Sequence, residues 1–164
     1  MNEIELLKEI ENLETKFNEN ELVCRVLNEN DFDDYLVKWW AKWPGWPEPP
    51  MRDFLPDNGK GGLMIEKNGK PIVAGFLYQT NSKGILLEWI ISDPDYREDD
   101  RDEAVEKLII EAEKSAEEMG YIYMFTIGRQ MNLVEKHKKL GWQVDDKPSH
   151  EIVKVIKSNL KKQK

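Results

Sequence analysis

The run Ile85-Leu86-Leu87-Glu88-Trp89-Ile90-Ile91 sets one carboxylate inside an otherwise apolar strand. Desolvation there raises the pKa of Glu88 toward that of a general base working near neutral pH. The competing reading is a glutamate at the strand's open end, paired with a lysine or arginine. His137, on a lysine-rich helical segment, can donate a proton near neutral pH, and equally fits an ordinary surface histidine. A second cluster is aromatic: Trp39, Trp40, Trp43 and Trp46, with Tyr35 and Tyr78, could wall a site for a cationic amine or planar base or fill the core. A helix bearing Trp39, Trp40 and Trp43 cannot turn all three to one face, so at least one is expected to face the loop or solvent. The third cluster is acidic. Residues 98–103 hold five carboxylates and Arg101, a local charge of −4, and acidic side chains at a helix N-terminus stabilise it, so this helix is expected to cap itself.

The elements that must carry these residues are legible from periodicity. Ile4, Leu7, Ile10, Leu13 and Phe17 mark an amphipathic helix over 2–17, ended by Asn18 and Asn20; it either packs on the domain or serves as a dimerisation helix in a homodimer. Residues 21–27 read as a strand, and Asn30 or Asp31 can cap a helix through 32–43. Five prolines between 44 and 56 make 44–59 a long loop, read as a lid or substrate wall. Strands follow at 62–67 and 71–80, joined by Asn68-Gly69, a hairpin signal. The apolar run 85–91 suits a central strand buried on both faces. A helix over 101–119 closed by Gly120, a strand over 121–127, a helix over 131–140 and a last strand over 151–156 complete the order.

Composition bounds the function. The 164 residues suffice for one domain. A net charge of −8 argues against a broad nucleic-acid footprint, which depends on Lys and Arg neutralising phosphates. Cys24 is the single cysteine and reads as a buried strand residue; with only His137 and His150 besides, no metal site is expected. No apolar run approaches a membrane span and the N-terminus lacks the regions of a signal peptide, so the expected location is the cytoplasm.

Two segments, in this order of elements, resemble the GNAT superfamily of N-acyltransferases. Ile91-Ser92-Asp93-Pro94-Asp95-Tyr96-Arg97 is similar to the end of that family's fourth strand and the start of its acyl-CoA motif, and His137-Lys138-Lys139-Leu140-Gly141-Trp142 to its Tyr-x-x-Leu-Gly-Phe segment. The resemblance implies an α/β (mixed α+β) fold, a mostly antiparallel central sheet flanked by helices. Residues 1–20 would be a helical extension, 21–157 the GNAT-like domain and 158–164 a basic tail. It further implies acetyl transfer from acetyl-CoA to an amine on a small molecule or protein. Glu88 would be the base, and His137 would stand where the family carries its thiolate-protonating tyrosine. The backbone at Ile91 and Ser92 would serve the oxyanion and donor. Arg97 and Arg101 would help hold the pyrophosphate, and Asn132, with Arg129 and Gln130, would meet the pantetheine arm or cap the helix. Trp39, Trp40, Trp43, Trp46 and Tyr78 would line the acceptor side. The departure is Asp100 and Asp102, which stand where the family's pyrophosphate loop carries glycine. The alternative implied by that departure is a catalytically inactive GNAT-fold binding protein that has lost acyl-CoA.

Overall fold

Asn68 and Gly69 adopt φ of 53° and 71°, the left-handed pair that a tight type I′ hairpin requires, and so fold the two apolar runs around them into one antiparallel ribbon. These runs are β2 (Gly62–Lys67) and β3 (Lys70–Tyr78), and β4 (Gly84–Ser92) pairs antiparallel to β3. β1 (Leu22–Val26) adds antiparallel to β2, and the short β5 (Tyr123–Phe125) adds parallel to β4. The order is β1-β2-β3-β4-β5, the mostly antiparallel sheet expected, although the middle position belongs to β3 and not β4. The computed structural model describes residues 2–19, 21–46 and 48–157; Met1, Asn20, Pro47 and the basic tail 158–164 lie outside the described residues.

Alternation along the strands sends side chains to two cores. On one face Ile65, Ile72, Ile85 and Leu87 meet Leu108, Ile109 and Ala112 of α3 (Arg101–Glu118), whose chain reverses at Gly120 with φ 90°. α4 (Met131–Lys139) lies beside α3, tied by Lys139 Nζ to Glu106 and by the Trp142 indole N–H to Glu113 at 2.7 Å. On the other face Met64, Ala74, Phe76 and Ile91 meet Leu36, Trp39 and Trp40. These come from a π-helical turn (Phe32–Leu36), followed by α2 (Val37–Lys42). The widened turn moves the aromatic side chains that follow it around the helix axis relative to a regular α-helix.

Four expectations are corrected. Asp31 stands at the N-terminus of the π-helical turn but does not cap it through its side chain: its buried carboxylate accepts from Arg25 at 2.8 and 2.9 Å and from the Asn28 amide at 2.7 Å, while Arg25 also reaches Glu66 at 2.9 Å. A buried carboxylate is better compensated by a guanidinium than by one amide, so the charge pair takes it. The loop 44–59 contains short turns at Arg52–Phe54 and Pro56–Gly59. Residues 151–156 form no strand; Ile152 and Ile156 are both 92% exposed. Finally, α1 (Glu3–Glu19) does not bury its apolar stripe on the domain, since Ile4, Leu7, Ile10 and Leu13 are all exposed; the side chain of Phe17 lies outside the description. Both faces of the sheet are already covered by the other helices and the 44–59 loop.

Trp40, 1% exposed, stacks on Phe76 and meets Trp89 edge-on, but its indole N–H has no partner. Trp40→Ala is expected to cost about 3–5 kcal/mol by cavity formation. Trp40→Phe, which also removes the stranded donor, should cost less than about 1.5 kcal/mol; urea unfolding of the two variants checks the difference.

Candidate active site

β4 and β5 pair in parallel only from Gly84/Tyr123 to Leu86/Phe125. Two positions beyond the last pair, the same register would set Glu88 opposite Ile127, and there the ladder has given way to a side chain: the Ile127 amide donates to Glu88 Oε1 at 2.9 Å. The strands therefore diverge with a carboxylate set between them. Glu88 is 8% exposed, and burial raises its carboxyl above the ordinary range, opposed by the Ile127 hydrogen bond and by the charge of Arg129.

One residue further, β4 bulges. Phe76 faces Glu88 and Ala74 faces Ile91, so Gly75 alone stands opposite Trp89 and Ile90. A Cβ at Gly75 would come within 3.2–3.3 Å of Leu108, Ile90 and Leu87, closer than ordinary contact, so glycine admits the bulge there. Trp89 carries φ 57°, costly for a bulky side chain, at about 1–3 kcal/mol. It is held there by ring contacts with Trp40, Trp46 and Phe54 at 6.0–6.1 Å, and by the Arg129 guanidinium 4.8 Å from its centroid.

The divergence opens a cleft of about 310 Å³ running from Trp46 and Trp89 along Ile91 and Ser92 to the start of α3. Its α3 end does not show the self-capping expected. Asp100 makes no side-chain cap hydrogen bond; its carboxylate turns back to accept from Lys67 at 2.8 Å and Tyr96 OH at 2.6 Å, and Lys67 is the chief cause of its lowered pKa. An ammonium and a phenol offer more to the charge than an amide of its own turn does. Asp102, its side chain 81% exposed, lines the mouth of the cleft and pairs with Lys136 Nζ at 3.1 Å. The first-turn amides of Asp102 and Glu103 have no helical carbonyl to bond, and Arg101 and Lys136 line the cleft beside them. This end accordingly suits an anion, since amides, a helix dipole, Arg101 and Lys136 converge on it, with the Asp102 carboxylate, already paired to Lys136, as the opposing charge. The arrangement fits the diphosphate of an acyl-CoA despite the missing glycines. Arg101 also donates to Ser92 Oγ at 3.0 Å and stacks on Trp43, whose indole N–H donates to the Ser92 carbonyl at 2.7 Å.

Glu88 itself is not in the cleft lining, which its neighbours Trp89 and Ile127 reach; of the other residues singled out from sequence, Ile91, Ser92, Arg101, Asn132, Trp43 and Trp46 line the cleft. Arg97 is exposed and lies outside it. Trp39 and Trp40 belong to the core. Tyr78 donates to the Phe54 carbonyl at 3.0 Å, and burial pushes its hydroxyl up to about 12. His137 is neither on the surface nor in the cleft: it is 3% exposed, with Nδ1 2.8 Å from the Leu133 carbonyl, its ring edge-on to Trp142 and Nε2 without a partner. Sequence reasoning missed Lys136 and Trp89. Spacing from Asn132 on one helix face could have suggested Lys136, but a positive φ at a tryptophan leaves no sequence signal. Among the described residues no group of three metal-ligating side chains occurs, and no described helix is long and apolar enough to cross a membrane.

No family model and no curated protein matches the chain. Solved structures do. N-acetylglutamate synthase from Neisseria gonorrhoeae, complexed with coenzyme A and N-acetyl-glutamate, superposes with a TM-score of 0.60 at 15% identity, over 76% of this chain and 29% of the synthase. An aminoglycoside acetyltransferase from an uncultured soil metagenomic sample gives 0.56 at 11% identity over 82% and 96% of the two chains. A Trypanosoma brucei acetyltransferase gives 0.54 at 16% over 81% and 100%. The fold is that of the GNAT acetyltransferases, as the two sequence motifs implied.

The buried histidine makes a stability prediction. Burial is the main cause that lowers the pKa of His137, with the Leu133 carbonyl and Glu113 opposing it. The unfolded chain binds this proton near pH ~6.5, so the stabilisation is present above that pH and is lost as pH falls below it. Glu88 acts with the opposite sign, since its raised folded pKa adds stability as pH falls. The urea midpoint of wild type minus that of His137→Leu, measured from pH 7.5 to 5.5, isolates the histidine and should decrease.

Proposed function

We propose that the protein is an N-acetyltransferase that uses acetyl-CoA to acylate an amine, with Glu88 as the base. The observation that carries this reading is the carboxylate buried at the point where β4 and β5 part. Acetyl-CoA supplies an activated acyl thioester. Arg101, Lys136 and the first-turn amides of α3 are suited to hold its diphosphate, with Ile91, Ser92 and Asn132 along the cleft toward the bulge. Glu88 lies next to the lining residues Trp89 and Ile127 and not in the lining itself, so with Oε1 engaged by Ile127 its second oxygen takes up the acceptor's proton through a water. A desolvated carboxyl with a raised pKa is the better matched to that task. The bulge disrupts the ladder at Trp89 and Ile90, and a main-chain amide released from pairing is a donor for a developing oxyanion. No proton donor is assigned to the departing thiolate, whose conjugate acid titrates near pH ~8.5; His137, packed behind Trp142, does not reach the cleft.

A second reading, a GNAT-fold binding protein without acyl-CoA, is favoured by one observation: Trp43 and Arg101 already occupy the carbonyl and the hydroxyl of Ser92 on the cleft wall. Calorimetric titration with acetyl-CoA and with CoA separates the two. Micromolar binding, weakened about tenfold or more in Arg101→Ala and strengthened in Asp102→Asn, supports the enzyme; the absence of binding by wild type supports the scaffold.

Glu88→Gln keeps an acceptor for the Ile127 amide and removes a buried charge. Its unfolding free energy is expected to stay within about 1 kcal/mol of wild type, while acetyl transfer falls by at least about 10²-fold. Undiminished turnover in this variant would remove Glu88 from the role of base.

A further inference from the structure

The aromatic group that the sequence suggested for a cationic ligand already holds a cation, and it is the protein's own. The Arg129 guanidinium lies 4.8 Å from the centroid of Trp89 and 5.6 Å from that of Trp46. Stacking uses the faces of the guanidinium and leaves its in-plane N–H groups to point elsewhere. They point into a second recess of about 350 Å³, walled by Pro44, Trp46, Glu48 and Trp89. There they meet a carboxylate in a side-on fork: Arg129 Nε donates to Glu151 Oε2 at 3.1 Å, and Nη2 pairs with Glu151 Oε1.

The partner is what makes this arrangement informative. Glu151 sits in the segment 143–157, where every residue is exposed and no strand forms. Among the described residues of that segment, the Glu151–Arg129 pair is the one hydrogen-bonded or ionic contact with the rest of the chain. The Glu151 side chain is itself 45% exposed, and a half-exposed pair of this kind contributes little, so another carboxylate can displace it. Arg129, by contrast, is built in. Its ring contacts are shared with the strained Trp89, and its charge is felt by Glu88, which it pulls down in pKa. Arg129 lies two residues beyond Ile127, the amide that Glu88 holds.

We infer that Arg129, presented on Trp46 and Trp89, is a carboxylate-binding group of the acceptor site, that Glu151 is its displaceable internal occupant, and that the acceptors are amines carrying a carboxylate, of the amino-acid class. This deepens the acetyltransferase reading and rests on it for the word acceptor. The carboxylate fork itself does not. A cation already seated between the tryptophans repels a simple cationic amine and attracts an anion, while Glu48 in the same recess offers the opposite charge to an ammonium.

Three probes of one skeleton test it: 3-phenylpropionate with the carboxylate alone, 2-phenylethylamine with the amine alone, and L-phenylalanine with both. The binding readout, on the full chain without any acyl donor, is the NMR signal of Arg129 Nε–H with the indole N–H signals of Trp46 and Trp89. Titration with 3-phenylpropionate is expected to shift all three, with affinity raised roughly two- to fivefold in Glu151→Gln and lowered about tenfold or more in Arg129→Gln. Arg129→Lys, which keeps the charge but not the fork, should fall between them. Acetylation of L-phenylalanine should exceed that of 2-phenylethylamine in wild type, with the preference lost in Arg129→Gln. Carboxylate binding without acetylation of either amine would uphold the carboxylate site and sink the enzyme reading. Acetylation of both amines alike, indifferent to Arg129, would uphold the enzyme and overturn this inference. So would a 3-phenylpropionate titration that leaves the three signals unmoved in wild type and Glu151→Gln, provided the variant's signals remain those of a folded protein.

Discussion

The parting of β4 and β5 is the constraint on which the site depends. A parallel pair of strands closes its ladder rung by rung unless something replaces a main-chain acceptor, and here the Glu88 carboxylate takes the Ile127 amide two positions beyond the last pair. Everything on the cleft follows from that substitution. The gap is lined by Ile91 and Ser92 of β4 on one side and the start of α4 on the other. It also leads straight to the first turn of α3, where unpaired amides and two cations stand. The same interaction buries a titratable group beside the opening.

The bulge at Trp89 is the second half of the device. It bends β4 away from β5 and turns a tryptophan into a positive-φ conformation that only dense aromatic contact can hold. Trp40, Trp46, Phe54 and Arg129 meet there from α2, the long loop and the end of β5. The proline-rich loop is thereby joined to the strand it covers: Tyr78 holds the Phe54 carbonyl and Trp43 holds the carbonyl of Ser92. A wall built this way places its polar groups by packing and not by loop conformation alone, which favours a site of fixed shape.

The acidic loop shows how far local chemistry can mislead. Five carboxylates at a helix start read as self-capping, because propensity considers only the groups within reach along the chain. In the folded protein Lys67, from the β2–β3 hairpin, and Tyr96 draw Asp100 away, and Lys136 from α4 faces Asp102. The two carboxylates standing in place of glycines therefore leave the first-turn amides uncovered. His137 is the converse case. Its lysine-rich neighbours give it the look of a surface residue, but the helix face it occupies is the one that meets Trp142.

What the sequence determined by itself is the part governed by short-range rules. Hairpin chemistry at Asn68-Gly69, the apolar run of β4, the 3.6-residue rhythm of α3 and its glycine stop fix the elements and their order, and two motifs in that order sufficed to indicate the fold. The tertiary structure alone decided which charges meet. Glu88 and Ile127 are 39 residues apart, Asp100 and Lys67 33, and Arg129 and Glu151 22. It also decided that 151–156, with the composition of a strand, goes unpaired. Coulomb and hydrogen-bond energies depend on separations of a few ångströms between groups distant in sequence, and no local periodicity records those separations. The site's polarity, a cation seated between tryptophans that the sequence left open as pocket wall or core, is a fact of that kind.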